Sequence, residues 1–212
     1  MINQYIEHTC LRQNTSKSDI RQLCEEAREH EFMGVCVPPY FVKDAVQLLA
    51  GTAVKVITVA GFPFGYSGIA AKVEETKRAM DDGADEIDLV MNVAAFLDGN
   101  VNYVKNEIIS VCTVVHMRNK KLKVILETAL LNEAQIRTAC EIAIEAEADF
   151  IKTSTGFASR GVSLEDIHLL KNILPSGIRI KASGGIKTRE FALELIEAGA
   201  SRLGTSAGIA LL

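Results

Sequence analysis

Eight short runs of β-forming residues recur along this chain, and most of the intervals between them read as amphipathic helices. The runs lie at 5–9, 33–37, 54–60, 86–91, 122–127, 149–154, 178–183 and 202–206. Alternating strands and helices favour a parallel sheet with right-handed crossovers. Eight units in 212 residues predict an α/β fold that closes into a single (β/α)8 barrel, or TIM barrel. The competing flavodoxin-like open sheet would use only about five strands.

The helical intervals begin and end with recognisable signals. The segment 16–30 opens with Ser and Asp, and Ile20, Leu23 and Ala27 follow at helical spacing. The joints "DDGADEIDL", "EAEADFIK" and "EAGASRLG" repeat one helix-to-strand pattern, which indicates that one supersecondary unit is used again and again. With no linker or low-complexity tract, we expect residues 1–212 to form one domain with a short final helix after the eighth strand.

Net charge and cysteine content limit which binding partners and which cellular compartment we expect for this chain. A net charge of -4 gives no electrostatic reason to expect binding to nucleic acid or to an acidic membrane surface. The five cysteines are odd in number, scattered and never spaced as C-x-x-C, which favours reduced thiols and a cytoplasmic location. Neither a secretory signal nor a transmembrane run is visible.

Ionisable residues stand at the ends of four consecutive predicted strands. Because side chains alternate in a strand, Lys152 points opposite to Ile151 and therefore into the barrel. The same alternation turns the other members of the group inward. Catalytic side chains of such barrels collect at the carboxyl ends of the strands, although a structural network of ion pairs remains an alternative. The group comprises Asp88, Glu127, Lys152 and Lys181.

Two lysines on adjacent strands suit imine chemistry. An amine attacks a carbonyl only when it is neutral, and burial or a second cation lowers the pKa of a lysine. We therefore expect Lys152 or Lys181 to react while the other lowers its pKa, with Asp88 relaying a proton. The four histidines are dispersed without metal-ligand spacing, so we expect no metal. Because the lysine imine itself accepts the electrons, we expect no cofactor. Cys36, at a strand end, is more consistent with a core thiol than with a pocket residue.

Glycine-containing turns follow the last three predicted strands. Loops after strands seven and eight bind phosphate in many barrels, since glycines let backbone N–H groups approach an anion. Taken alone, each of these glycine pairs is also explained by a tight turn that binds no ligand. Together they predict a small phosphorylated carbonyl substrate. The residues are Thr155, Gly156, Ser183, Gly184, Gly185, Gly204, Thr205 and Ser206.

Six motifs, in order along nearly the whole chain, resemble those of the deoxyribose-phosphate aldolases. They are "VKVITVAGFPFG", "GADEIDLVMN", "KVILETALL", "ADFIKTSTGF", "IKASGGIKT" and "LGTSAG". The resemblance implies a (β/α)8 barrel that reversibly cleaves 2-deoxy-D-ribose 5-phosphate to D-glyceraldehyde 3-phosphate and acetaldehyde. It implies an imine-forming Lys152, a second lysine at Lys181 and a proton-relay aspartate at Asp88. It also implies phosphate binding at 184–185 and 204–206.

The chain departs from the family pattern in a few places. Glu7 stands where the family usually has Asp, which puts the position of a carboxylate near the site in doubt. Phe157 follows the T-S-T-G turn where some members have Lys. The apolar "IALL" end is compatible with a homo-oligomer, a dimer or a tetramer, and equally with a docked core segment. A sugar-phosphate isomerase and a non-catalytic phosphate-binding barrel remain the alternative functions.

Overall fold

Eight parallel strands close into a barrel in chain order, and β8 pairs with β1 to complete the circle. The computed structural model describes residues 1–212. The strands are β1 (Ile6–Thr9), β2 (Gly34–Val37), β3 (Lys55–Ala60), β4 (Glu86–Val90), β5 (Lys121–Ile125), β6 (Phe150–Lys152), β7 (Arg179–Ser183) and β8 (Arg202–Thr205). The predicted (β/α)8 architecture is confirmed, and each predicted run overlaps one strand.

Helices fill the intervals and cover the outside of the barrel. They are α1 (Lys17–Glu29), α2 (Val42–Leu48), α3 (Ile69–Asp81), α4 (Val93–Leu97), α5 (Val101–His116), α6 (Glu133–Glu145), α7 (Leu164–Ile173) and α8 (Arg189–Ala198). After β8 the chain forms only a 3-10 helix, Gly208–Leu211, which is the short final helix that the sequence predicts. None of the helices has both the length and the apolar content needed to cross a membrane.

Capping side chains fix where the major helices begin. The Ser16 hydroxyl accepts a hydrogen bond from the Asp19 N–H, and the Asp19 carboxylate accepts one from the Ser16 N–H. Equivalent reciprocal pairs open α6 and α7. Each cap satisfies backbone donors that the helix itself leaves unpaired, and contributes about 1 kcal/mol to the free energy of unfolding.

The hydrophobic core lies almost entirely between the strands and the helices. That layer contains 51 buried apolar residues, whereas the apolar cluster inside the barrel has only three, Cys36, Ile57 and Val59. The remaining interior positions are largely polar or charged. Because buried charges are costly unless they are paired, the interior must contain a network of ion pairs.

A buried ion pair ties two helices to the mouth of the barrel. Lys72 on α3 donates to Glu107 on α5 at 2.6 Å, and both side chains are fully buried. Lys72 also donates to the carbonyls of Gly65 and Val90, at 2.5 and 2.8 Å. The second Glu107 oxygen accepts from the Asn92 N–H at 2.8 Å. The loops after β3 and β4 are therefore anchored through one lysine.

Candidate active site

Lys152 ends β6 and lines a cavity at the carboxyl end of the barrel. The cavity has a volume of about 850 Å³, and Lys152 lies in its wall while remaining only 3% exposed. Its Cα is the register partner of Lys181 on β7, so the two lysines leave the sheet at the same level. The structure thus brings together the two lysines that the sequence selects.

Asp88 on β4 joins these lysines. One of its oxygens, Oδ2, accepts hydrogen bonds from Lys152 Nζ at 2.8 Å and from Lys181 Nζ at 2.7 Å. The other oxygen, Oδ1, accepts from Lys123 Nζ at 3.0 Å. A single buried carboxylate therefore binds three amines, and the lysines meet through it rather than by direct contact.

The electrostatics of this cluster favour an ionised aspartate. Burial alone would raise the pKa of Asp88, but Lys123, Lys152 and Lys181 outweigh burial and hold that pKa well below its usual value. Burial alone would likewise lower the pKa of Lys181, yet the charges of Asp88 and Glu7 raise it above its usual value. Lys181 is consequently a permanent cation at neutral pH.

Glu7 on β1 completes the surroundings of Lys181. Its side chain is fully buried, and Oε2 accepts a hydrogen bond from Lys181 Nζ. Its other oxygen lies 3.6 Å from Lys123 Nζ and 3.7 Å from Arg202 Nε, beyond hydrogen-bonding distance. The longer side chain, compared with the Asp of the family pattern, therefore reaches Lys181 directly.

Lys123 on β5 and Glu86 on β4 belong to the same network, and the sequence analysis missed both. Lys123 is fully buried, bound to Asp88 and 2.5 Å from Glu86. Burial would lower the pKa of Lys123, but the charges of Asp88 and Glu7 outweigh burial and raise it. The sequence contains a signal for Lys123. Its neighbours Leu122 and Val124 are apolar and face the helices, so alternation along the strand turns Lys123 inward.

All the residues expected to bind phosphate lie around the cavity that Lys152 enters. The cavity wall includes Thr155, Gly156, Ser183, Gly184, Gly185, Gly204, Thr205 and Ser206. Gly184 and Gly185 have φ angles of 83° and 78°, a left-handed conformation that favours glycine. Arg12 and Lys187 also lie in this wall, so the cavity has two cations that the sequence analysis did not select.

Glu127 does not point into the barrel as expected, because β5 ends at Ile125 and Glu127 lies in the following turn with φ 58°. Its carboxylate accepts hydrogen bonds from the N–H and the hydroxyl of Thr155. The donors of Thr155 are therefore already used within the protein. Both residues shape the turn after β6.

Cys36 is a core thiol, as the sequence favoured. It is fully buried inside the barrel with Ile57 and Val59, and it is not part of the cavity wall. Burial raises the pKa of the Cys36 thiol to about 11, so it is uncharged at neutral pH.

The histidines take part in no cluster of metal-ligating side chains. His8 binds Glu26 at 2.7 Å, outside the barrel, and His116 binds Asp149 at 2.9 Å. No three His, Cys, Asp or Glu side chains converge in the geometry of a metal site.

Comparison with known proteins assigns this arrangement to a family. The family model described as DeoC/LacD family aldolase matches residues 1–212. A deoxyribose-phosphate aldolase of Caldicellulosiruptor saccharolyticus is 49% identical over 212 residues, covering 100% of this chain and 96% of the relative. One of Ureaplasma parvum is 52% identical over 210 residues, covering 99% and 97%.

Solved structures agree with the sequence matches. The aldolase designated QR15 superposes with a TM-score of 0.94 at 42% identity, covering 99% of this chain and 93% of that one. The tetrameric deoxyribose phosphate aldolase of Aeropyrum pernix superposes with a TM-score of 0.93 at 27% identity, covering 99% and 88%. The protein is therefore an aldolase, a member of the DeoC/LacD family.

Proposed function

We propose that the protein reversibly cleaves 2-deoxy-D-ribose 5-phosphate to D-glyceraldehyde 3-phosphate and acetaldehyde through an imine at Lys152. The observation that carries the proposal is the position of Lys152, whose amine is nearly buried, enters a cavity ringed by glycine turns and shares one oxygen of Asp88 with Lys181. The names of the similar proteins, deoxyribose-phosphate aldolases, support this substrate.

The reaction begins when the neutral amine of Lys152 attacks C1 of the open-chain sugar. The carbinolamine loses water to give a protonated imine, which withdraws the electron pair of the C2–C3 bond as that bond breaks. The C3 hydroxyl gives up its proton, and D-glyceraldehyde 3-phosphate leaves. The remaining enamine takes up a proton at C2, and addition of water releases acetaldehyde and restores Lys152.

The raised pKa of Lys181 and the lowered pKa of Asp88 fit different roles in proton movement. Lys181 is the donor, since it holds a proton at neutral pH. Asp88 orients both amines and stabilises the positive charge of the imine. The protonated imine keeps one N–H on the nitrogen of Lys152, and this N–H can still donate to Asp88 Oδ2.

Phosphate binds at the turns after β7 and β8 in this proposal. Gly184 and Gly185 turn left-handed before α8, and its N-terminal dipole favours a negative charge. Lys187 and Arg12 are the cations of the cavity wall that can pair with the phosphate. Some family members have a Lys after the T-S-T-G turn, where this chain has the uncharged Phe157. In this chain the positive charge near the phosphate therefore comes from Lys187 and Arg12.

Two measurements test the proposed function. Sodium borohydride added with substrate should inactivate the wild-type protein irreversibly and leave a reduced adduct on Lys152, read by peptide mass spectrometry. Lys152→Ala should release no acetaldehyde in a coupled assay, a loss of at least about 10³-fold. An adduct on another residue, or an active Lys152→Ala, would contradict the assignment.

The same assay separates the alternatives. A sugar-phosphate isomerase would use a carboxylate base and keep part of its turnover without Lys152, and a non-catalytic barrel would bind substrate without turnover. EDTA should leave the activity of the wild type unchanged, since the imine itself accepts the electrons and the proposal needs no metal or other cofactor.

The proposal also covers the metabolic role, the cellular compartment and the oligomeric state of the protein. We place the reaction in deoxyribonucleotide breakdown in the cytoplasm, with residues 1–212 as one catalytic domain. Five unpaired cysteines are consistent with a reducing compartment. The tetramer of the Aeropyrum pernix enzyme supports a homo-oligomer, which light scattering of the purified protein tests.

A further inference from the structure

The loop after β6 lies directly against the turn after β7. The loop spans 153–163, and its second half, 158–163, is not part of the cavity wall. Gly161 comes so close to the turn that a Cβ on it would overlap the Gly184 carbonyl group and lie 2.9 Å from Gly184 Cα. Gly161 does not have a positive φ angle, so it is the close approach of the two backbones that requires glycine here.

The close approach allows hydrogen bonds between the loop and the turn. The Val162 N–H donates to two carbonyl oxygens, that of Ser183 at 3.2 Å and that of Gly184 at 3.1 Å. The Thr153 hydroxyl, at the start of the loop, also donates to the Ser183 carbonyl, at 3.2 Å. The loop therefore holds two consecutive peptide units of the turn by their oxygens.

These bonds decide where the N–H groups of the same peptide units point. Both units are trans, and in a trans peptide the C=O and the N–H point in opposite directions. Because the Ser183 and Gly184 carbonyls point to the loop, the N–H groups of Gly184 and Gly185 point away from it. Neither N–H makes a backbone hydrogen bond, and both glycines lie in the cavity wall. Successive N–H groups of this kind form a concave site for an anion.

Arg160 anchors the loop on its other side. Its guanidinium binds both oxygens of Asp166, in the first turn of α7, at 2.6 and 3.1 Å. It also donates to the Gly161 carbonyl at 2.9 Å and to the Thr128 carbonyl at 3.3 Å. Because the loop is anchored in this way, an added methyl group on Gly161 would push on the Gly184 peptide.

We infer that Gly161 is a positioning residue for the substrate phosphate: by admitting the loop to the turn, it aims the N–H groups of Gly184 and Gly185 into the cavity. Gly161 is not part of the cavity wall and touches no substrate, so it acts through the Gly184 peptide. This inference rests on the proposed binding of phosphate at the turn after β7.

The test compares 2-deoxy-D-ribose 5-phosphate with 2-deoxy-D-ribose, which forms the same imine but has no phosphate. Gly161→Ala should raise KM for the phosphorylated sugar by about tenfold or more, because misdirected N–H groups lose bonds to a charged acceptor. The inhibition constant of inorganic phosphate should rise with it. In contrast, kcat/KM for 2-deoxy-D-ribose should stay within about twofold of the wild type, since that sugar does not use the site.

Gly177→Ala is the control, because it adds the same methyl group where no atom lies within 4 Å. It should leave all three quantities unchanged. A merely structural role for Gly161 would lower kcat/KM for both sugars by the same factor, and that result would overturn the inference.

A second variant decides if Gly161→Ala does not fold, as judged by circular dichroism. Arg160→Lys keeps the positive charge but loses the planar group that binds Asp166 and the Gly161 carbonyl together. It should raise KM for the phosphorylated sugar by at least about threefold and leave kcat/KM for 2-deoxy-D-ribose unchanged. An unchanged KM, or an equal loss for both sugars, contradicts the inference.

Measurements on the wild type separate this inference from the proposed function. If inorganic phosphate does not compete with 2-deoxy-D-ribose 5-phosphate, or if borohydride leaves no label on Lys152, the proposed function fails. If phosphate competes and Lys152 is labelled, but Gly161→Ala changes neither KM nor the inhibition constant, only the role of Gly161 is contradicted.

Discussion

Gly204 on β8 leaves room for the side chain of Lys181. A Cβ at this position would lie 3.0 Å from Lys181 Cε and 3.1 Å from Ser183 Cβ, which is tighter than ordinary contacts. Lys181 passes this point on its way to Glu7 and Asp88. Gly204 was selected as part of a phosphate-binding turn, and the structure gives it a second role next to the lysine.

Gly204→Ala should displace Lys181 and lower kcat by about ten- to a hundredfold, because small displacements of reacting groups are costly. Steady-state kinetics of the purified variant provide the measurement. Gly177→Ala is the matched control, since its Cβ meets no atom within 4 Å, and it should keep the wild-type kcat. An unchanged kcat in Gly204→Ala would show that Lys181 tolerates the shift.

At the scale of single residues, alternation along strands was the reliable guide. It placed Lys152, Lys181 and Asp88 together, because each follows a clearly apolar residue of its own strand. It also turns Lys123 inward, although Lys123 was not among the predicted site residues. Glu127 was misplaced because the backbone leaves β5 at Ile125 and turns left-handed, a change that apolar periodicity does not report.

Two consecutive loops of the barrel are joined by Glu127 and Thr155. Glu127, in the turn after β5, accepts from both the N–H and the hydroxyl of Thr155, in the turn after β6. Thr155 Oγ1 in turn accepts from the Phe157 N–H at 3.1 Å. The turn after β6 is thus held in place by the turn after β5, and Glu127, which is not part of the cavity wall, fixes the position of Thr155, which is.

Glu127→Ala should raise KM for the phosphorylated substrate by about tenfold, because two buried donors of Thr155 lose their acceptor and the turn loses its fixed shape. The effect on kcat should be smaller, since Lys152 and its partners lie on strands. Glu127→Gln retains an acceptor oxygen and is the control, with an intermediate KM. Equal kinetics for Glu127→Ala and the wild type would contradict a role for this contact.

Helices and strands were predicted more closely than loops for a physical reason. Capping residues such as Ser16 and Asn132 act on the backbone next to them, so their effect is visible in the local sequence. Loop contacts such as that between Glu127 and Thr155 join positions far apart along the chain. Only the closed barrel brings them together.

At the scale of the whole molecule, the ion pair of Lys72 and Glu107 holds the outer layer to the mouth of the barrel. Lys72→Met should lower the free energy of unfolding by about 3–5 kcal/mol, because it leaves Glu107 charged, buried and unpaired. Urea unfolding followed by circular dichroism provides the measurement.

The control for this prediction removes both charges. Lys72→Met combined with Glu107→Leu should recover much of the lost stability, since an apolar pair needs no compensation. If the double variant is less stable than Lys72→Met alone, the hydrogen bond that Glu107 accepts from the Asn92 N–H matters more than the cost of its buried charge.

Eight-strand closure followed from counting the runs, but the full set of charged interior groups did not, since Lys123 and Glu86 were missed. An apolar filling is usual inside small barrels, whereas here apolar residues such as Cys36, Ile57 and Phe150 share the interior with a network of charged groups. The pairing of the remaining positions depends on the register of strands that are distant in sequence, which composition and periodicity leave open.

The mutual neutralisation of the interior groups also limits how this chain can diverge. A mutation of Lys123 or Glu86 alone would leave its former partner unmatched in a place that water does not reach, so such positions change most readily in compensating pairs. Residues at the rim, such as Lys187 and Phe157, are not part of this buried network, so each of them can change on its own. Variation in substrate range should therefore accumulate around the opening while the centre of the barrel stays fixed.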